Sequence, residues 1–252
     1  MKLSAEEIQL FHEDGYLIRR QLIDMTLLNE IRNQTKQHLS MRLPPFELEA
    51  TLGYPKAPQS VAEQGGDTIR RLLLAYSRDS AFREWAKNRM VKGMLQSLFD
   101  SEAVYLVQSH HNCIMTKQPD YSSKTLWHRD IRYWQFANDQ LINSWLAMGT
   151  ENNENGCLKV IPGSHLWNTS EDMVDEQLFL QVEHPDAQPW LEQAIDVELQ
   201  AGDVLLFHAA LFHAANNNVT DQGKFSLVYS YHGEGNHPLP NSKSTQFEEV
   251  CL

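Results

Sequence analysis

The apolar positions of this chain change period part-way along it. Ser4-Ala5-Glu6-Glu7 has the Ser-x-x-Glu form of a capping box, and Ile8 and Phe11 follow on one helical face, which predicts a helix from Ala5 that Gly15 ends. Tyr16-Leu17-Ile18 reads as a short strand. Leu22, Met25, Leu27, Leu28 and Ile31 then recur at roughly helical spacing and predict a second helix running to about Leu39. From Leu43 to about Asp67 the periodicity fades, punctuated by Pro44, Pro45, Gly53, Pro55, Pro58, Gly65 and Gly66. A loop of that length is either a lid over a functional site or a surface excursion. Thr68 to Phe99 is mostly helical in pattern, with Phe82, Trp85, Met90, Met94 and Leu98 as core candidates.

Beyond Asp100 the pattern becomes one of short strands: Val104–Val107, Asn112–Met115, Leu141–Met148, Leu158–Ile161, Val204–Phe207 and Phe225–Tyr229, separated by Gly, Pro and Asn turns. Helices first and strands afterwards predict a mainly β protein with flanking helices, its core an antiparallel double-sheet barrel. The expectation is a single domain over 1–252, a helical part about 1–100 packed on a β core about 101–232. Trp167 to Gln193 is an acidic insertion that interrupts the strands and reads as peripheral.

Composition narrows the class. With 252 residues, 42% hydrophobic and 21% charged, the chain suits one soluble globular domain with a proper core. A formal charge of −12 repels phosphate backbones and anionic headgroups, so neither nucleic acid nor a membrane is the expected partner. Cys113, Cys157 and Cys251 show no CxxC spacing and are odd in number, which argues against a disulfide framework and for a reducing cytoplasm. No basic leader with an apolar run opens the sequence, and no stretch approaches the roughly 18 apolar residues of a membrane span.

The candidate chemistry begins at Trp127-His128-Arg129-Asp130. In an extended strand, residues two apart share a face, so His128 and Asp130 present an imidazole and a carboxylate together. A third ligand would come from Leu206-Phe207-His208 or His213. Two His and one carboxylate, with the opposite positions open, form the ligand set of non-heme Fe(II) oxygenases. His208 and His213 are an odd number of positions apart and face opposite ways on a regular strand. Lys224, on a strand that can return beside the metal, favours His213 as the ligand and leaves His208 a structural role.

His165 is a ligand by type but sits in a Pro-Gly-Ser-His turn, where it reads as a turn-stabilising group. His110 and His111 are adjacent, so one of them faces the interior, in a surface or core role. Trp127, Tyr133, Trp134 and Phe136 are either a substrate wall or core. A zinc hydrolase also uses two His and a carboxylate, but that reading leaves Lys224 unexplained.

Several strings in the chain resemble the phytanoyl-CoA dioxygenase family of Fe(II)/2-oxoglutarate oxygenases. They are Phe11-His12-Glu13-Asp14-Gly15-Tyr16-Leu17-Ile18, His128-Arg129-Asp130, Trp145-Leu146-Ala147-Met148, Asn155-Gly156-Cys157-Leu158 through Pro162-Gly163-Ser164-His165, and Gly202-Asp203-Val204-Leu205-Leu206-Phe207-His208 with His213. The resemblance implies a double-stranded β-helix (jelly-roll, cupin-like) core, with iron held by His128, Asp130 and His213. It implies 2-oxoglutarate and O2 as co-substrates, oxidation of a small-molecule C–H bond, and release of succinate and CO2.

The family usually has an arginine where this chain has Lys224, the group implied to bind the far carboxylate of 2-oxoglutarate. Lysine keeps the charge but not the bidentate fork. Ala215 replaces a small polar residue. Trp145 matches a position lining the co-substrate, and Arg71, in a predicted helix, and Cys113, on the strand before Lys117-Gln118-Pro119-Asp120, match pocket positions. Their plain alternatives are a solvated arginine and a small core thiol. Related halogenases carry a small residue at the carboxylate position, so Asp130 implies hydroxylation rather than halogenation. Loss of turnover, leaving a non-catalytic metal- or ligand-binding module, is the alternative that Lys224 and Ala215 leave open. Arg70 with Arg71, or Arg129 with Arg132, is the candidate basic patch for a CoA ester.

Overall fold

A computed structural model describes residues 1–53, 57–119 and 121–252. Pro55 and Asp120, named in the loop and strand readings above, lie outside the described residues. Helix α1 (Ala5–Asp14) has both halves of the predicted capping box, with Ser4 Oγ accepting from Glu7 N–H at 3.2 Å and Glu7 Oε2 from Ser4 N–H at 2.8 Å. It stops at Gly15, whose φ of +79° suits glycine and whose missing Cβ leaves room for the His165 ring, 2.4 Å from where that atom would be. Strand β1 (Tyr16–Arg19) follows. Helix α2 (Met25–Ser40) begins later than the apolar spacing predicts, because the Asp24 side chain caps it by accepting from Thr26 N–H at 2.8 Å.

Two corrections fall in the next segment. Strand β2 (Phe46–Leu48) lies inside the stretch read as loop, and strand β3 (Ile69–Leu73) opens the stretch read as helical. These strands pair with each other, and β3 also pairs with the long strand after the helices. Tertiary pairing outweighs local propensity here, and Arg71 therefore stands on a strand and not in a helix. Helices α3 (Ala75–Arg78), α4 (Ser80–Ala86) and α5 (Arg89–Phe99) follow, with Asp79 and Asn88 capping the latter two.

The remaining strands are β4 (Val104–Lys117), β5 (Thr125–His128), β6 (Leu141–Ala147), β7 (Leu158–Val160), β8 (Ile195–Val197), β9 (Val204–His208), β10 (His213–Ala215), β11 (Lys224–Gly233) and β12 (Val250–Cys251), with a short helix α6 (Gln188–Leu191) before β8. They form two wholly antiparallel sheets. The larger runs β1-β9-β6-β11-β4-β3-β2, with β12 also on β4, and the smaller runs β5-β10-β7-β8. Among the described residues, the first hundred thus give three strands to the large sheet as well as five helices.

Alternation along the large sheet sorts two cores. Val204, Leu206, Leu227, Tyr229, Tyr231, Ile142 and Leu146 pack with Leu28, Ile31, Phe82, Trp85 and Met94 of the helices. Leu205, Phe207, Val228, Trp145 and Ala147, from the opposite face, pack with Leu158, Val160 and Ala215 of the small sheet. Burying each large apolar side chain is worth about 1.5–3 kcal/mol. Tyr229 and Tyr231 carry hydroxyls into the helical core and donate them to the Phe82 and Ala86 carbonyls of α4, each at 2.9 Å. Among the described residues, no helix is long and apolar enough to cross a membrane.

One irregularity positions the site. Val107 of β4 pairs with Ser230 of β11 and Asn112 pairs with Tyr229, so Gln108, Ser109, His110 and His111 have no partners on β11. The two strands predicted at 104–107 and 112–115 are one strand carrying this bulge, which re-aims its side chains into the space between the sheets.

Candidate metal centre

His128 ends β5 and His213 begins β10, and the two are paired across the small sheet. Their rings lie 4.2 Å apart between centroids. Asp130 follows on the extended Arg129 and opens a short 3-10 turn. Its Oδ1 lies 3.6 Å from Nε2 of both histidines. One ligand atom from each of the three residues falls within 4.8 Å of the others, and all three side chains are buried. Donors about 2.1 Å from one ion stand roughly 3–3.5 Å apart, so only a small contraction separates this trio from coordination.

The tautomers are set. His128 Nδ1 faces the Leu126 carbonyl at 2.8 Å and His213 Nδ1 the Leu211 carbonyl at 3.0 Å. Each Nδ1 can only donate to its carbonyl, which leaves Nε2 as the nitrogen turned toward Asp130. Burial and then the neighbouring His128 push His213 down to about 4, so it is neutral near pH 7, as a ligand must be. Asp130 Oδ2 accepts from Asn143 Nδ2 at 2.7 Å, and Asn143 Oδ1 accepts from the Ser230 hydroxyl. Oδ1 is left to face the histidines. Burial pulls the carboxyl upward, but His111 and His213 outweigh it and hold Asp130 well below the usual range. His111 Nε2, delivered by the β4 bulge, lies 3.0 Å from Asp130 Oδ1.

The trio stands in a cavity of about 730 Å³. Arg71, Cys113, Trp145 and Lys224, the four residues expected around a co-substrate, all line it. Arg71 Nε donates to Glu47 at 2.5 Å, Cys113 is a buried free thiol, and Trp145 Nε1 donates to Glu151 Oε1 at 3.1 Å. Lys224 Nζ reaches Glu151 at 3.0 Å and lies 5.1 Å from the centre of the Trp145 ring. Thr51 and Leu52, from the stretch read as a loop, also line the cavity, as do Gln246 and Phe247 of the C-terminal segment.

His208 and His213 are separated by a change of sheet, not by alternation along one strand. β9 ends at His208, whose Nδ1 accepts from Ala210 N–H at 3.1 Å, and the chain then crosses to β10. His165 pins α1 through a contact of 3.1 Å with the His12 carbonyl. His110 meets Ser244 at 2.7 Å and stacks on Trp134. The 167–193 insertion is not peripheral: Phe179 is 1% exposed with its ring 6.0 Å from that of His128, and Leu180 N–H donates to the Trp127 carbonyl at 2.9 Å. Its acidic side chains at Glu171 and Asp172 point outward while Met173, Phe179 and Leu180 point in. The candidate basic patches are committed elsewhere. Arg129 donates to the Ser164 and Trp167 carbonyls, Arg132 lies over Tyr133 and Phe179, and Arg70 pairs with Glu49 at 3.6 Å.

The family model for phytanoyl-CoA dioxygenase (PhyH) matches residues 11–226. The chain belongs to the phytanoyl-CoA dioxygenase family. A probable phytanoyl-CoA dioxygenase of Caenorhabditis elegans is 24% identical over 246 residues, covering 91% of this chain and 75% of that protein. In solved structures, the carbocyclase SnoK from nogalamycin biosynthesis superposes with a TM-score of 0.72 at 20% identity, over 94% of this chain and 87% of that one. The epimerase SnoN, in complex with Fe3+, alpha ketoglutarate and nogalamycin RO, gives 0.74 at 19% identity, over 93% and 85%.

In this phytanoyl-CoA dioxygenase family member, Asn143, Ser230 and Glu151 were not foreseen from the sequence, and His111, expected in a surface or core role, instead contacts Asp130. Asn143 and Ser230 carried a usable signal, being polar residues within strands that are otherwise mostly apolar. His111 had none beyond its type, because only the bulge brings it to Asp130.

Proposed function

We propose that this chain is an Fe(II)- and 2-oxoglutarate-dependent oxygenase that oxidises, by hydroxylation, a C–H bond of a small molecule and releases succinate and CO2. The observation that carries this reading is the trio His128, Asp130 and His213, with one donor atom from each converging in a cavity that basic residues also line. The donor set fits iron: two neutral imidazoles and one carboxylate with open positions opposite. Bound iron and 2-oxoglutarate would supply O2 activation and the oxidising equivalents for C–H cleavage. The rest falls to the protein. Asn143 and Ser230 fix which carboxylate oxygen meets the metal, Leu126 and Leu211 fix the imidazole tautomers, and the buried Phe207 and Trp134 shape a water-poor wall beside the centre. The two sheets supply the double-stranded β-helix that such a site uses, and the whole chain acts as one catalytic domain.

The test is anaerobic addition of Fe(II) and 2-oxoglutarate, followed by admission of O2 and assay of succinate. A visible charge-transfer band and slow substrate-free succinate formation are expected, and both vanish in His213→Ala. Neither appearing in the parent protein overturns the reading. A binding module without turnover is the second reading, favoured by the buried Lys224–Glu151 pair that occupies the expected co-substrate lysine. It forms the band but no succinate.

A further inference from the structure

Strands β4 and β11 place Lys117 and Lys224 directly opposite each other. Both line the cavity and both are buried, at 6% and 5% exposure. Like charges facing each other across a ladder repel, and more so away from water. The surroundings treat the two differently. Lys224 is held by Glu151, which is wholly buried and also accepts from Ser226 Oγ at 2.7 Å and Trp145 Nε1 at 3.1 Å. Swinging Lys224 toward a ligand would leave that carboxylate buried without its cation, a costly arrangement.

Lys117 Nζ donates to the Ser123 carbonyl at 2.9 Å, and among the described residues no carboxylate lies within ion-pair distance of it. The Arg70 guanidinium approaches the same carbonyl at 3.4 Å, its own charge met by Glu49 at 3.6 Å. Among the described residues, Glu49 lies against Arg70 and Glu151 against Lys224, and Lys117 is a buried cation with no carboxylate at ion-pair distance. Burial, then Arg70 and Lys224, push its ammonium well below the usual lysine range, a penalty that a bound anion relieves.

The position suits a particular anion. Ala215 is two residues beyond His213 on β10, about 6–7 Å along the strand and on the same face. Thr125 pairs with Ala215 as His128 pairs with His213, and Arg70 donates to Thr125 Oγ1 at 2.7 Å. Across the register irregularity between His213 and Ala215, Arg70 thus comes within reach of the metal ligands, and Lys117 shares the Ser123 carbonyl with it, an arrangement suited to a five-carbon dicarboxylate that chelates the ion with its other end. Gly156, at φ +75°, closes over the lysine stem, with 2.8 Å between the place of its absent Cβ and Lys117 Cδ.

We propose that Lys117, rather than Lys224, receives the carboxylate of 2-oxoglutarate remote from the metal, while Lys224 and Glu151 form a neutral wall beside it. This rests on the oxygenase reading above. The test is calorimetric titration of Mn(II)-loaded protein with 2-oxoglutarate and with 2-oxopentanoate, a 2-oxo acid of equal length without the far carboxylate. Lys117→Met is expected to weaken 2-oxoglutarate at least tenfold, leave 2-oxopentanoate and Mn(II) affinity unchanged, and be partly rescued by Lys117→Arg. The charge-balanced double variant Lys224→Met/Glu151→Gln is expected to keep 2-oxoglutarate affinity within about threefold, and it decides the matter if Lys117→Met does not fold. Unchanged 2-oxoglutarate affinity in Lys117→Met, or its loss in the double variant, overturns the assignment to Lys117 and leaves the oxygenase reading standing. Parent protein that binds Mn(II) but neither 2-oxo acid overturns the oxygenase reading itself.

Discussion

Asn143 donates to Asp130 Oδ2 at 2.7 Å while Asp130 Oδ1 faces the two histidines, so one amide decides which oxygen of the carboxylate is offered to a metal. Asn143 is itself held by Ser230 from the neighbouring strand. Removing the amide frees the carboxylate to rotate and leaves Oδ2 buried without a donor. Asn143→Leu is expected to weaken metal binding about 10–100-fold with the fold retained. Titration with Co(II), followed by its d–d absorption, reads this directly, and an unchanged affinity would show that Asn143 does not orient the ligand.

The trio itself makes a sharper prediction. His213→Ala and Asp130→Ala each remove one of three donors and should abolish stoichiometric metal binding and succinate formation together. Metal-dependent stabilisation follows the ligand concentration relative to Kd. The parent protein should therefore melt higher when Fe(II) or Co(II) is added anaerobically, and neither variant should respond. A variant that still gains thermal stability from the metal would place the ion elsewhere.

Two buried side chains, Tyr229 of β11 and Trp85 of α4, make predictions about stability. Tyr229→Phe leaves the Phe82 carbonyl without its donor in a dry interior and is expected to cost about 1–3 kcal/mol. Trp85→Ala, at a residue 1% exposed, removes a much larger volume and should cost about 3–5 kcal/mol. Urea denaturation of both variants checks the order, and a smaller loss for Trp85→Ala than for Tyr229→Phe would mean that this core collapses around the hole.

What the sequence disclosed and what it hid divide along the line between local and long-range physics. The α1 capping box, its Gly15 stop and the His128–Asp130 pair are written in neighbouring residues, and each is present in the structure. Strand β3 was hidden because Ile69–Leu73 extends only through its pairing with β2 and β4. The insertion at 167–193 disguised itself by composition: its exposed carboxylates dominate a segment whose few apolar residues pack behind His128. The site's supporting residues were hidden for a related reason. His111 reaches Asp130 only because β4 carries four residues that β11 does not match. Lys224 looked free in the sequence because its partner, Glu151, is remote along the chain.

Acid sensitivity follows from His208. Burial first, and then the nearby His165, push its imidazole down to about 4 from the ordinary 6.5. Between those values the unfolded chain binds a proton that the folded one refuses, so stability is full above about pH 6.5 and is lost as the pH falls toward 4. The loss reaches up to about 3 kcal/mol for this residue, then levels off. His208→Asn keeps an acceptor for the Ala210 N–H but cannot titrate. Denaturation midpoints measured from pH 7.5 to 4 should fall less steeply in the variant, with the two proteins diverging only below pH 6.5. Parallel curves would mean that His208 takes up its proton in the folded state as readily as in the unfolded one.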